Sequence, residues 1–209
     1  IFGGENVQVS LVGDYFDECL AAAQEYSIQN TAYFLSPFDD ADVIEGQATV
    51  ACEIKEQLNF SPDMIIMPVG GGGLSAGVIS FFGDECDYTL VEPCGATSLR
   101  AALLAGKPEK LHEIDNFTDG ASVAKIGKLN FEILKKINPN CLLSVPENRI
   151  CTTMLEMLDI EGIVLEPAGA LSVDVLKDIP DQIEKQNIVC ITTGGNFDFE
   201  RLPEVKERA

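Results

Sequence analysis

The chain has 209 residues, 46% of them hydrophobic and 7% aromatic with no tryptophan, which is enough for one sizeable core built from Ile, Val, Leu, Ala and Met. With 14 Lys and Arg against 34 Asp and Glu, the formal net charge is -20, a balance that repels nucleic acid and anionic membrane surfaces and excludes both as partners. The 7 cysteines are scattered singly without a CxxC, and His112 is the only histidine, so neither a disulfide framework nor a His-based metal cluster is expected. The longest apolar run, 64–82, is broken by Pro68 and by glycines and is not a membrane span. With no visible signal peptide and cysteines that fit a reduced core, the expected location is the cytoplasm. Because the sequence starts at Ile1 on a glycine pair, it is expected to be an internal piece of a longer polypeptide.

In chain order, residues 7–12 alternate as a short strand with Val7, Val9 and Leu11 on one face. Asp14 can cap a helix to about Tyr26. Residues 31–35 predict a second strand, stopped by Pro37. Asp39, Asp40 and Asp42 introduce a helix in which Val43, Gln47, Val50, Ala51, Ile54 and Leu58 recur at helical spacing. Residues 64–69 form an unbroken apolar run, as in a strand buried on both faces of a parallel sheet. Four glycines follow, then a helix over 75–82, a strand over 88–91 and a helix over 97–104 closed by Gly106 and Pro108. Residues 107–124 look irregular. Further helices are expected at 126–137, 147–158 and 167–177, with strands at 141–145 and 188–192. The alternation predicts an α/β fold with a doubly wound, mostly parallel sheet. The Ser36-Pro37 break sets residues 1–36 apart as a small βαβ unit, leaving 37–209 as the main domain.

The sharpest local signal is Pro68-Val-Gly-Gly-Gly-Gly-Leu-Ser-Ala-Gly77, which joins a buried strand to a helix start. Glycines allow tight turns and let an anion approach several N–H groups, and the helix dipole adds partial positive charge there. In so acidic a chain, backbone amides are a sensible way to hold a phosphate. A Rossmann dinucleotide site is a rival reading, because Gly71-x-Gly73-x-x-Ala76 fits the looser fingerprint and Glu92 follows Gly73 where a ribose-binding acid would stand.

Residues 188–196 end a second apolar strand in Thr192, Thr193, Gly194, Gly195 and Asn196. Ligands of open parallel sheets bind beyond the carboxyl ends of the strands. Alternation sends the two threonine side chains to opposite sides, one toward a ligand and the other structural. Glu166-Pro-Ala-Gly-Ala170 opens a helix, and its carboxylate either favours the helix N-terminus or meets a cofactor. In Phe117-Thr-Asp-Gly120-Ala the glycine would admit a flat ligand.

Taken together and in this order, Phe2-Gly-Gly-Glu5, Gly13-Asp-Tyr-Phe-Asp17, Pro37-Phe-Asp-Asp40, Val43-Ile-Glu-Gly-Gln47, Pro68-Val-Gly-Gly-Gly-Gly-Leu74, Phe117-Thr-Asp-Gly120, Glu166-Pro-Ala-Gly169 and Thr193-Gly-Gly-Asn196 resemble the threonine dehydratases. Those belong to the tryptophan-synthase-β-like, fold-type II group of pyridoxal phosphate enzymes. Each motif is weak alone; the ordered set covers essentially the whole chain and outweighs the Rossmann reading.

The resemblance implies a pyridoxal 5'-phosphate-dependent lyase that deaminates L-threonine (and L-serine) to 2-oxobutanoate (pyruvate) and ammonia in isoleucine biosynthesis. A serine racemase or serine dehydratase of the same fold is the alternative. It places the cofactor phosphate on Gly70, Gly71, Gly72, Gly73 and Leu74, the pyridine nitrogen against Thr193, and Gly120 and Glu166 near the ring and substrate. Relatives hold a cation at positions that match Glu92, Ala96 and Ser98, but Ser98 is a neutral ligand, and no metal is assigned. The Schiff-base lysine of the family lies in a Ser-x-Lys-x-Arg-Gly-Ala segment that this sequence does not contain, nor does it contain the Asn-rich loop that binds the substrate carboxylate. No catalytic residue is therefore assigned in the chain, and the chain alone is expected to be inactive. The resemblance further implies that residues 1–36 are the C-terminal remnant of a small domain, that a regulatory domain would begin past the charged C-terminal tail, and that the full enzyme is a homo-oligomer, dimer or tetramer.

Overall fold

The computed structural model describes residues 4–13, 16–184 and 186–209, and the chain divides into two units, Ile1–Ser36 and Pro37–Ala209. In the first unit one helix, α1 (Phe16–Asn30), runs past the expected end at Tyr26. The Ser27 hydroxyl donates to Ala32 O (2.6 Å), and Thr31 turns the chain at φ 51°. The proposed cap, Asp14, lies outside the described residues. The strands expected at 7–12 and 31–35 are absent among the described residues. Val9 is 77% and Leu11 95% exposed. An alternating segment becomes a strand only when a neighbour takes up its N–H and C=O groups, and no described residue forms a ladder with either segment.

The second unit opens with a capped helix. Asp40 Oδ1 accepts from the N–H groups of Asp42 (2.8 Å) and Val43 (3.4 Å) at the start of α2 (Ala41–Gln57). Next come β1 (Met64–Pro68), buried along its whole length, then α3 (Gly73–Phe82), β2 (Asp87–Pro93) and α4 (Ser98–Ala105). Residues 107–124 are irregular apart from a single turn at Asn116–Thr118. They lead to α5 (Lys128–Leu134), β3 (Leu142–Val145), α6 (Glu147–Glu156), α7 (Pro167–Asp174), α8 (Pro180–Ile183), β4 (Ile188–Cys190) and α9 (Leu202–Arg208).

The four strands form one parallel sheet in the order β3-β2-β1-β4. Alternation along each strand divides the core between its two faces. Ile66, Val91 and Val145 pack with Ile150 of α6, Leu171 of α7 and Val205 of α9. Ile65, Met67 and Leu90 pack with Ala51 of α2, Val78 of α3 and Leu134 of α5. Helices on both faces explain why β1 reads as a continuous apolar run.

Several details differ from the sequence expectation: α5 is shorter than 126–137, α7 ends at Asp174 rather than 177, and α8 was not expected. The helix expected at 147–158 continues beyond α6 as one wide turn, Met157–Glu161, ended by Gly162 at φ 68°. The strand β4 stops at Cys190 rather than 192. The charged tail forms α9, anchored by buried Val205. Among the described residues no helix is long and apolar enough to cross a membrane.

Candidate functional site

In a parallel sheet the carboxyl ends of all strands share one edge, so β1, β2 and β4 deliver their following loops to the same place. The pairing runs from Met64↔Ile188 to Ile66↔Cys190, and Ile191 N then donates to Ile66 O (2.9 Å). Thr193 and Gly194 follow within four residues of the end of β4, so they leave the sheet at the same edge as the glycine loop that follows β1.

The glycine loop is shaped by what surrounds it. Gly72 sits at φ 91° and precedes the first turn of α3, a left-handed conformation that a side chain would strain. A Cβ on Gly70 would lie 2.9 Å from Ala121 Cα, and one on Gly71 would enter the Phe38 ring. The loop carbonyls have partners. Ser98 Oγ donates to Gly70 O (3.5 Å), and Gly127 N donates to Gly71 O (3.1 Å). The amides do not: among the described residues, the N–H groups of Gly70, Gly71, Gly72, Gly73 and Leu74 meet no protein acceptor. Buried or half-buried N–H groups left without a partner at a helix N-terminus form an anion site.

The remaining predicted residues converge on the same edge. A Cβ on Gly120 would lie 3.3 Å from Glu166 Oε1, and one on Gly194 would lie 2.6 Å from the same oxygen. Glu166 N donates to Gly194 O (3.0 Å). Glu166 thus stands between the 117–121 loop and the residue after Thr193. Ala121, next to Gly120, is the residue packed against Gly70. Burial, and secondarily the charge of Asp119, push the Glu166 carboxyl above its usual range. Thr193 and Thr192 are both exposed at this edge. The structure therefore brings Gly70, Gly71, Gly72, Gly73, Leu74, Gly120, Glu166 and Thr193 to one end of the sheet.

Glu92 is not presented to any ligand. It is 0% exposed, and its oxygens accept from Leu99 N (2.6 Å) and Arg100 N (3.2 Å) at the start of α4. Burial pushes its carboxyl up to about 7 against the opposing pull of those two amides and of Arg100. A ribose-binding acid must reach the crevice, so this placement removes the main support for the Rossmann reading. It also commits the carboxylate to α4 rather than to a cation. No group of three or more His, Cys, Asp or Glu among the described residues is placed to hold a metal ion.

The family described as pyridoxal-phosphate dependent enzyme matches residues 1–194. The chain belongs to this family. The biosynthetic L-threonine dehydratase IlvA of Lactococcus lactis is 45% identical over 215 residues, and that of Halalkalibacterium halodurans is 40% identical over 211 residues. Each match covers 100% of this chain and 51% of the relative, so the chain spans about half the length of the curated relatives it matches. The solved structure of the processed form of threonine deaminase isoform 2 from Solanum lycopersicum superposes with a TM-score of 0.87 at 35% identity, over 96% of this chain and 60% of that one.

Pyridoxal phosphate is the cofactor of this family, and the residues present suit it. Among the described residues the loop amides of residues 70–74 have no protein acceptor and are available to an anion, glycines at 70, 71, 120 and 194 let the loops of this edge pack closely on one another, and an alcohol stands at 193. Sequence reading missed the outer supports of the site. Asn130 on α5 and Phe38 before α2 hold the glycine loop from behind. On the 117–121 loop, the guanidinium groups of Arg201 and Arg208 lie 5.2 and 4.4 Å from the Phe117 ring centre. Arg201 also pairs with Asp119 (3.4 Å) and Arg208 with Asp115 (3.3 Å). None of these has a local sequence signal, because the partners of Arg201 and Arg208 lie 80 or more residues away, those of Asn130 at 59 and 92 residues, and Phe38 meets glycines of a separate loop.

Proposed function

We propose that this chain is the larger, cofactor-binding part of a pyridoxal phosphate-dependent L-threonine ammonia-lyase of the biosynthetic type, acting also on L-serine. The single observation that carries the reading is the convergence, at the carboxyl edge of one parallel sheet, of five unpartnered loop amides with Thr193 and Glu166. The names of the relatives supply the substrate class.

In this reading the amides of Gly70 to Leu74 and the α3 dipole bind the cofactor phosphate, a dianion that the acidic chain holds without a lysine. Thr193 accepts or donates a hydrogen bond at the pyridine nitrogen. Gly120 and Glu166 border the ring and the substrate. When bound, the cofactor supplies the electron sink that lets an amino acid lose its α-proton and expel its β-hydroxyl. A hydroxyl at 193, unlike a carboxylate, would hydrogen-bond the pyridine nitrogen without fully protonating it, a setting that would suit elimination over transamination. The base that takes the α-proton corresponds to a lysine in a Ser-x-Lys-x-Arg segment that this sequence lacks, so the 209 residues alone are inactive.

Residues 1–36 belong, in the same reading, to a second and smaller domain. Their exposed apolar positions at 7–12 and 31–35 pair with strands supplied by further chain. Slow amide exchange at these positions in the complete protein, against fast exchange in the isolated 209 residues, tests this. The complete protein is a cytoplasmic homo-oligomer, which sedimentation tests directly. The activity itself is tested by supplying L-threonine to the complete protein and to the 209 residues. Stoichiometric 2-oxobutanoate and ammonia from the first and none from the second is the expected result. Racemisation of serine without threonine deamination would instead assign a serine racemase.

A further inference from the structure

Asn130 lies on the first turns of α5, fully buried. Its Nδ2 donates to Gly71 O (2.7 Å) and to Phe38 O (2.9 Å). Two carbonyl acceptors fix the orientation of this amide, because only its NH2 end can serve both. Every peptide bond here is trans, so the carbonyl of one residue and the N–H of the next point in opposite directions. Holding Gly71 O against Asn130 therefore turns the Gly72 N–H away from α5. Ser98 acts likewise one residue earlier, through Gly70 O and the Gly71 N–H. The second bond, to Phe38 O, steadies the residue whose ring covers Gly71 and whose backbone flanks Gly73.

Meanwhile the Oδ1 of Asn130 is buried without a partner among the described residues. That is a cost in stability which an apolar side chain would not carry. Such a cost is tolerated where the donor end has a task.

We propose that Asn130 is a positioning residue for phosphate binding: by gripping the Gly71 and Phe38 carbonyls, it aims the loop amides at the anion. The inference rests on the reading of residues 70–74 as the phosphate cradle. Without Asn130, Gly71 O keeps only the 3.1 Å bond from Gly127 N, and the peptide between Gly71 and Gly72 is held less firmly.

The test uses the complete protein and compares binding of pyridoxal phosphate with that of pyridoxal, which has the ring and aldehyde but no phosphate. Spectroscopic titration gives both affinities for the wild type, Asn130→Leu and Asn130→Asp, and for Thr153→Val as a buried polar control on the opposite face of the sheet. Wild type and Thr153→Val favour the phosphorylated ligand. In Asn130→Leu that preference falls by about tenfold, the worth of one charge-assisted hydrogen bond, while pyridoxal affinity stays the same. Asn130→Asp loses more, because an acceptor then faces the Gly71 carbonyl beside the anion. If Asn130→Leu does not fold, Asn130→Ser keeps a donor on a shorter side chain, and its preference falls between the other two. Equal weakening of both ligands, or an unchanged preference in all the variants, overturns the proposal. A wild type that binds both ligands equally well overturns the cradle reading itself.

Discussion

Glu92 joins the carboxyl end of β2 to the start of α4, and replacing it with glutamine should change how the stability of the protein depends on pH. The side chain is 0% exposed and accepts two α4 amides, and burial pushes its carboxyl from 4.5 up to about 7. A carboxyl whose folded value is raised binds its proton more tightly when folded. Its contribution to stability is full below about pH 4.5 and is lost as pH rises through about 7. At about 1.4 kcal/mol for each pH unit, the loss across that window is about 3 kcal/mol. Glu92→Gln keeps an acceptor for Leu99 N and has no charge to bury. Urea unfolding of wild type and variant, measured from about pH 4.5 to about pH 8, should show the variant gaining about 3 kcal/mol on the wild type. A stability difference that is flat across the window would refute the claim that Glu92 is held as a buried, desolvated acid.

Asp174 is fully buried, with Arg149 at 2.7 Å and the Thr153 hydroxyl at 2.7 Å. Asp174→Ala leaves the buried Thr153 hydroxyl without its acceptor and removes one of the two carboxylates that hold Arg149, the other being Asp178; it should cost about 1–3 kcal/mol, and no measurable loss by urea unfolding would show the buried carboxylate to be dispensable. Gly71→Ala drives a methyl group into the Phe38 ring and should lower both melting temperature and pyridoxal phosphate affinity. Adding Phe38→Ala should recover part of the loss, and strictly additive effects would place the clash elsewhere. Thr193→Asp in the complete protein should raise transamination relative to elimination by protonating the ring nitrogen, as product ratios and cofactor absorbance would report. Unchanged ratios and spectra would remove Thr193 from that role.

The sequence was informative wherever one element carried its own pattern. The apolar run at 64–69, the glycines after it and the aspartates before α2 each state a local preference that packing then obeys, so the parallel sheet and its loops were readable in order. The Rossmann fingerprint at Gly71 and Glu92 was ambiguous because spacing along the chain does not say which way a carboxylate turns; burial against α4 decides it. Residues 7–12 and 31–35 have the alternation of strands but not the partners, and alternation alone makes no ladder. Strand β4 stopped two residues early where β1 ends in Pro68, which has no N–H to give to the next rung of the ladder. Asn130, Arg201 and Arg208 were invisible because their partners are distant in sequence and their residue types are ordinary on helices. Helix α9 was read as a charged tail because one buried residue, Val205, was not enough to show an apolar face.

The most direct test of the account is a crystal structure of the complete protein grown with pyridoxal phosphate. The phosphate should lie within hydrogen-bond distance of the amides of residues 70–74, with the pyridine nitrogen facing the Thr193 hydroxyl. Density that places the phosphate away from those amides, or that turns the ring nitrogen toward any side chain other than Thr193, would contradict it.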